Sequence, residues 1–178
     1  MLNDVKEVLV SEEEIASKVL ELANKISTDF ENKELVVIGV LKGANVFVAD
    51  LIRKISIPIE LDFMAISSYG SSTVSSGVVK IQKDLDASIE GKYVLVVEDI
   101  IDTGLTLSYL TENLKSRGAK EIAICTLLDK PERRKAHIDV NYKGFNIPDE
   151  FVVGYGIDYA ERYRNLPFVG ILKEETYQ

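Results

Sequence analysis

Residues 94–97, Val-Leu-Val-Val, form an apolar run that continues without a break into Glu98, Asp99, Ile100, Ile101 and Asp102. Such a run reads as a strand buried on both faces. Residues 106–117 then repeat with the period of a helix that stops at Gly118, and residues 121–128 supply another apolar strand. Strand, loop, helix and strand in that order define a right-handed βαβ unit, and therefore a parallel sheet. A parallel sheet needs helices on its faces and binds its ligands beyond the carboxyl ends of its strands. Glu98, Asp99 and Asp102 crowd that end. An ionised carboxylate leaving water needs an opposite charge or several donors, so the strand end requires a partner from outside the chain.

The remaining segments extend the same pattern. Ser11 and Glu14 form a capping box ahead of Ile15, Val19, Leu22 and Ile26, an amphipathic helix. Residues 35–40 predict a strand, Leu41-Lys42-Gly43 a turn, residues 44–54 a helix and residues 59–67 a second strand. Residues 67–77, Ser-Ser-Tyr-Gly-Ser-Ser-Thr-Val-Ser-Ser-Gly, are almost all small and polar; a loop of this kind inside a domain is a disordered insertion or a lid. Strand character resumes at residues 78–85 and returns in short runs around 151–153 and 168–172. The expectation is one α/β domain over residues 1–178, a mostly parallel twisted sheet flanked by helices.

Composition removes several function classes. A formal charge of −8 disfavours general nucleic-acid binding, although local basic residues can still hold a phosphorylated metabolite. No window is long and apolar enough for a membrane span, and Met1-Leu2-Asn3-Asp4 starts neither a signal nor a transit peptide, so the cytoplasm is the expected location. The lone Cys125, set in an apolar strand, reads as a core residue. His137, the one histidine, lies in a polar stretch and reads as surface.

The strand end also has the parts of a ligand site. The loop Asp102-Thr103-Gly104-Leu105-Thr106 feeds the amino end of a helix, whose free N–H groups and dipole favour a phosphate. The carboxylates beside it suit sugar hydroxyls or a hydrated Mg²⁺. A plainer reading is an acidic, solvated turn with Asp102 or Thr103 capping the helix; it leaves the two acids attached to a buried strand unexplained. The P-loop and dinucleotide fingerprints are missing, and Asp99 to Asp102 has the wrong spacing for a phosphatase-type nucleophile pair.

The segment VLVVEDIIDTGLTL resembles the ribose-phosphate signature of the type I phosphoribosyltransferases. LKGA, SSYG, LLDKPERR and FVVGYGIDYAERYRNLP agree in order, and from residue 35 to 172 the chain is similar to the hypoxanthine-guanine branch of that family. The resemblance implies the type I fold with a small hood built from the chain ends. It implies Mg²⁺-dependent transfer of a phosphoribosyl group from phosphoribosyl diphosphate to hypoxanthine or guanine, giving IMP or GMP and diphosphate in purine salvage.

Residue by residue, the same resemblance places Glu98 and Asp99 along the ribose hydroxyls and the metal, with Asp158 as a further metal-linked carboxylate. Asp102, Thr103, Gly104, Leu105 and Thr106 hold the 5′-phosphate, and Asp102 also exchanges a proton with the base at N7. Leu41, Lys42, Gly43 and Arg164 bind diphosphate. Lys130 donates to the 6-oxo group, Phe151 stacks on the base and Val152 reads its edge, although Phe151 in an apolar strand otherwise reads as core. Ser68 and Tyr69 belong to a lid over the reacting centre. Leu105 stands where many relatives have Lys or Arg. A homodimer or homotetramer is implied, with no nucleic acid and no membrane among the partners. The alternatives are a nucleotide-sensing or RNA-binding regulator on the same fold and an enzyme of the same type for adenine, xanthine or a pyrimidine.

Overall fold

The computed structural model describes residues 1–68 and 79–177. Chain order runs β1 (Val5–Val10), α1 (Glu12–Asp29), β2 (Leu35–Leu41), α2 (Asn45–Ile52), β3 (Ile59–Ser68) and β4 (Val79–Lys83). It continues with β5 (Tyr93–Ile101), α3 (Leu105–Ser116), β6 (Glu121–Asp129), β7 (Tyr142–Asn146), β8 (Val152–Val153) and β9 (Val169–Leu172).

Six strands form the main sheet in the order β4-β3-β2-β5-β6-β7. All neighbours pair in parallel except β3 and β4. The central strand β5 shows why its sequence is apolar throughout. Its side chains alternate between faces, and both faces are covered: Leu95 and Val97 join Phe47 and Leu51 of α2 and Ile26 of α1, while Val94 and Val96 join Leu107, Leu110 and Leu114 of α3. Leu95, Leu110 and Leu114 are fully buried, and each contributes about 2 kcal/mol of transfer free energy. The expected capping box is present, Ser11 Oγ accepting from Glu14 N and Glu14 Oε2 from Ser11 N. No helix among the described residues is long and apolar enough to cross a membrane.

A second, three-stranded sheet, β1-β9-β8, draws on both ends of the chain and forms the expected hood. Two of its features differ from expectation. Strand β1, Val-Lys-Glu-Val-Leu-Val, is absent from the sequence reading: Lys6 and Glu7 interrupt its apolar residues, and half of its positions are exposed. Phe151 precedes β8 and is 38% exposed, so it is not a core residue. On the main sheet, β3 runs through Ser67, the end of the expected strand, to Ser68, which pairs with Val79 where only the loop was expected. Tyr69 and most of the expected lid lie outside the described residues.

Candidate active site

The register of β5 creates the site. Its pairing with β2 ends at Gly39 and Val97, whereas its pairing with β6 continues to Ile101 and Asp129. Glu98 and Asp99 therefore project past the last rung shared with β2, where the Leu41–Gly43 turn crosses. The Leu41-Lys42 peptide there is cis. Gly43 is required by contact: a Cβ on it would run into the Asp99 carboxylate.

Both acids are half-buried. Among the described residues neither is in an ion pair. Burial, with the Asp99 charge adding to it, raises the Glu98 carboxyl well above the ordinary carboxylate range. Burial likewise pushes Asp99 up to about 6, against the hydrogen bond from Ile100 N and the field of Arg164. The pair lacks positive charge, and hard oxygen donors of this kind fit a divalent cation such as Mg²⁺. No group of three acids or other ligand residues among those described converges on one point. The fit is to an ion held by one or two carboxylates and completed by water and phosphate oxygens.

Beside the pair, a cleft of about 230 Å³ is lined by Glu98, Ile101, Asp102, Thr103, Gly104 and Thr106. Leu105 opens α3 without lining it. Gly104, at φ +79°, is the helix N-cap, and no side chain caps α3. The capping role of Asp102 or Thr103 is thus not realised; Thr103 Oγ1 only accepts a long, 3.4 Å bond from Leu105 N. The first N–H groups of α3 have no partners within the helix, and its residues Thr106 and Leu107 line the cleft.

Strand β6 ends next door. Lys130 N donates to Ile101 O at 2.9 Å, and its buried ammonium donates to Glu150 O at 2.7 Å, one residue before Phe151. Phe151 stacks on Tyr177, centroids 4.8 Å apart, and meets Tyr159 edge-on. Val152 is buried in β8 and pairs with Ile171.

On the other side, Arg164 Nη2 lies 3.0 Å from Asp158 Oδ1, and Nη1 donates to Gly156 O. Lys42 Nζ and Arg164 Nη2 both reach Glu161 Oε2, at 3.1 and 3.4 Å. Lys42 first, then Arg164, holds the Glu161 carboxyl below its usual range. A negative group thus already sits between the two expected diphosphate contacts.

Three residues of this constellation escaped the sequence reading: Glu161, Arg133 and Asp149. Glu161 lies within the motif that carried Asp158 and Arg164, and its separation of three from each was an available signal. Arg133 lies in LLDKPERR, where only the lysine was given a role. Cys125 is buried, which raises its thiol, and His137 is exposed beside Asp139, both as expected.

A parallel sheet whose central strand ends in an acid pair and a glycine-started helix matches a known class. A model of the phosphoribosyl transferase domain covers residues 7–160. The chain is 58% identical over 178 residues to the hypoxanthine-guanine phosphoribosyltransferase of Bacillus subtilis, covering 100% of this chain and 99% of that protein. It is 56% identical over 177 residues to the bifunctional protein TilS/HprT of Listeria monocytogenes, covering 99% of this chain but 27% of that longer relative. A crystal structure of hypoxanthine phosphoribosyltransferase from Staphylococcus aureus superimposes with a TM-score of 0.97 at 53% identity, covering 100% of this chain and 97% of the other. The chain belongs to the phosphoribosyltransferase family, in its hypoxanthine-guanine branch.

Proposed function

We propose that this chain transfers the phosphoribosyl group of phosphoribosyl diphosphate to hypoxanthine or guanine, releasing diphosphate and IMP or GMP. The observation that carries the reading is the junction of β5 and β6, where Lys130 N bonds Ile101 O and ties the backbone of Lys130 to the residue before Asp102, at the start of the 102–106 loop.

In this reading the amino end of α3 and the hydroxyls of Thr103 and Thr106 hold the 5′-phosphate. Glu98 and Asp99 lie along the ribose hydroxyls. Lys42, Arg164 and the backbone of Leu41 and Gly43 take the diphosphate, with Glu161 giving way to it. Lys130 donates to the 6-oxo oxygen, which an adenine amino group would not accept, and Phe151 and Val152 bound the base. As N9 of the base bonds to C1 of the ribose, the C1–O bond to diphosphate breaks and Asp102 takes up the proton at N7. Glu98 and Asp99, with Asp158 near them, hold Mg²⁺, which neutralises charge on the diphosphate when bound. The family resemblance gives residues 67–77, with Ser68 and Tyr69, the role of keeping water from the reacting ribose; residues 69–77 lie outside the described ones. One domain spans residues 1–178 and works as a cytoplasmic homodimer or homotetramer; these points rest on the family.

Ultraviolet-monitored turnover of hypoxanthine, guanine, xanthine and adenine with phosphoribosyl diphosphate, with and without Mg²⁺, tests the reading. Mg²⁺-dependent nucleotide formation from hypoxanthine or guanine, with adenine inert, is expected. Tight binding of the phosphorylated sugar without turnover of any base would overturn it in favour of a nucleotide sensor.

A further inference from the structure

Lys130 N bonds Ile101 O, the neighbour of Asp102, and a row of side chains links Asp102 itself to Lys130. Asp102 Oδ1 lies 2.5 Å from Arg133 Nε. Arg133 Nη1 lies 3.2 and 3.4 Å from the two carboxylate oxygens of Asp149, and Asp149 Oδ1 lies 3.6 Å from Lys130 Nζ. Charge alternates along the row, and both ends are residues assigned to the base.

The row is mounted on a rigid frame. Arg133 closes a short 3-10 helix, Pro131–Arg133. On either side of that helix the backbone is tied to the phosphate loop. Lys130 N donates to Ile101 O at 2.9 Å, and Lys135 N and Ala136 N donate to Thr103 O at 2.9 and 3.1 Å. These bonds bracket Asp102 from both neighbours and hold the Arg133 backbone opposite it. Exposed ion pairs on free side chains add little stability, and Arg133, Asp102 and Asp149 keep 44%, 45% and 47% exposure. What the pair does is orient. Asp102 Oδ1 is shielded from solvent and has no hydrogen-bond partner among the described residues, so the Arg133 guanidinium meets it as an ionic contact.

We propose that Arg133 is a positioning residue: it sets the rotamer of Asp102 and, through Asp149, the placement of the Lys130 ammonium, at the spacing that recognises a 6-oxopurine. The proposal rests on the function proposed above. It separates Arg133 from a residue that only stabilises its loop, because the two roles act on different substrates.

The test is steady-state kinetics on wild type, Arg133→Met, Arg133→Lys, Asp149→Asn, Asp102→Asn and the double variant Arg133→Met/Asp102→Asn, with thermal melts of each. Arg133→Met is expected to raise KM for hypoxanthine about tenfold while KM for phosphoribosyl diphosphate stays within about twofold, and Arg133→Lys recovers part of the loss. Asp149→Asn moves KM for hypoxanthine the same way by less, and carries the test if Arg133→Met does not fold. In the Asp102→Asn background, Arg133→Met should cost clearly less in kcat/KM than it does in wild type, the remainder being the part carried through Asp149 and Lys130. The proposal falls if wild type is active and Arg133→Met leaves hypoxanthine kinetics unchanged, if KM for both substrates rises together, or if the two substitutions multiply. An inactive wild type overturns the proposed function, and this inference with it.

Discussion

Two neighbouring strands of one sheet each end in a buried or half-buried carboxylate, and they treat it in opposite ways. At the end of β6, Asp129 is buried and held by the guanidinium of Arg134 and by Lys143 Nζ at 3.4 Å. At the end of β5, Glu98 and Asp99 have no cation of their own among the described residues, and burial raises both. Register explains the difference. Pairing with β7 continues alongside the end of β6, Asp129 opposite Asn146, and brings Lys143 within reach. Beyond Val97, β5 loses β2 and keeps a neighbour on one side only. An acid that is neutralised internally is part of the scaffold; the pair left without a partner at the end of β5 is the one that the proposed function gives to a ligand.

The contrast breaks most sharply at Asp129. Asp129→Asn strands the Arg134 guanidinium and should cost about 3 kcal/mol, lowering the melting temperature by roughly 6–12 °C. A melting temperature within a degree or two of wild type would place Asp129 outside the scaffold. Asp102→Asn should do the reverse: kcat falls about a hundredfold, while phosphoribosyl diphosphate binding by calorimetry and the melting temperature stay close to wild type. An unchanged rate would remove Asp102 from proton transfer.

The smallest effect has the most telling sign. The Asp99 pKa is raised on folding, so the stability linked to its proton is fully present below its unfolded value near 4 and is lost as pH rises through about 6. Asp99→Asn escapes that loss. After discounting for solvent screening, the ligand-free variant should be more stable than wild type by on the order of 1 kcal/mol at pH 8, with the curves converging near pH 4. Denaturant melts at the two pH values check it; a variant less stable at pH 8 would show that Asp99 is satisfied within the protein.

The β5 side of this contrast was legible in the sequence, because apolar residues running straight into acids leave few interpretations. The order of helices and strands around it was also legible from periodicity. The β6 side was not. Asp129 looked like one more polar residue after a strand, since its partners Arg134 and Lys143 lie 5 and 14 positions away and only the fold unites them. Strands β1 and β7 were missed for a related reason: they are edge strands of the two sheets, and with one side unpaired they tolerate lysine, glutamate and glycine. Phe151 shows the opposite error. Its apolar neighbours argued for the core, while the hood's geometry leaves it at the surface against Tyr177.

Glu161, gripped by Lys42 and Arg164, has a consequence for how a polyanion arrives. The two cations are not waiting bare; they already hold a tethered counter-anion. Under the proposed function, uptake of diphosphate oxygens there is an ion exchange, in which the attraction gained is reduced by the attraction surrendered. Its dependence on ionic strength is accordingly shallower than two free cations would give.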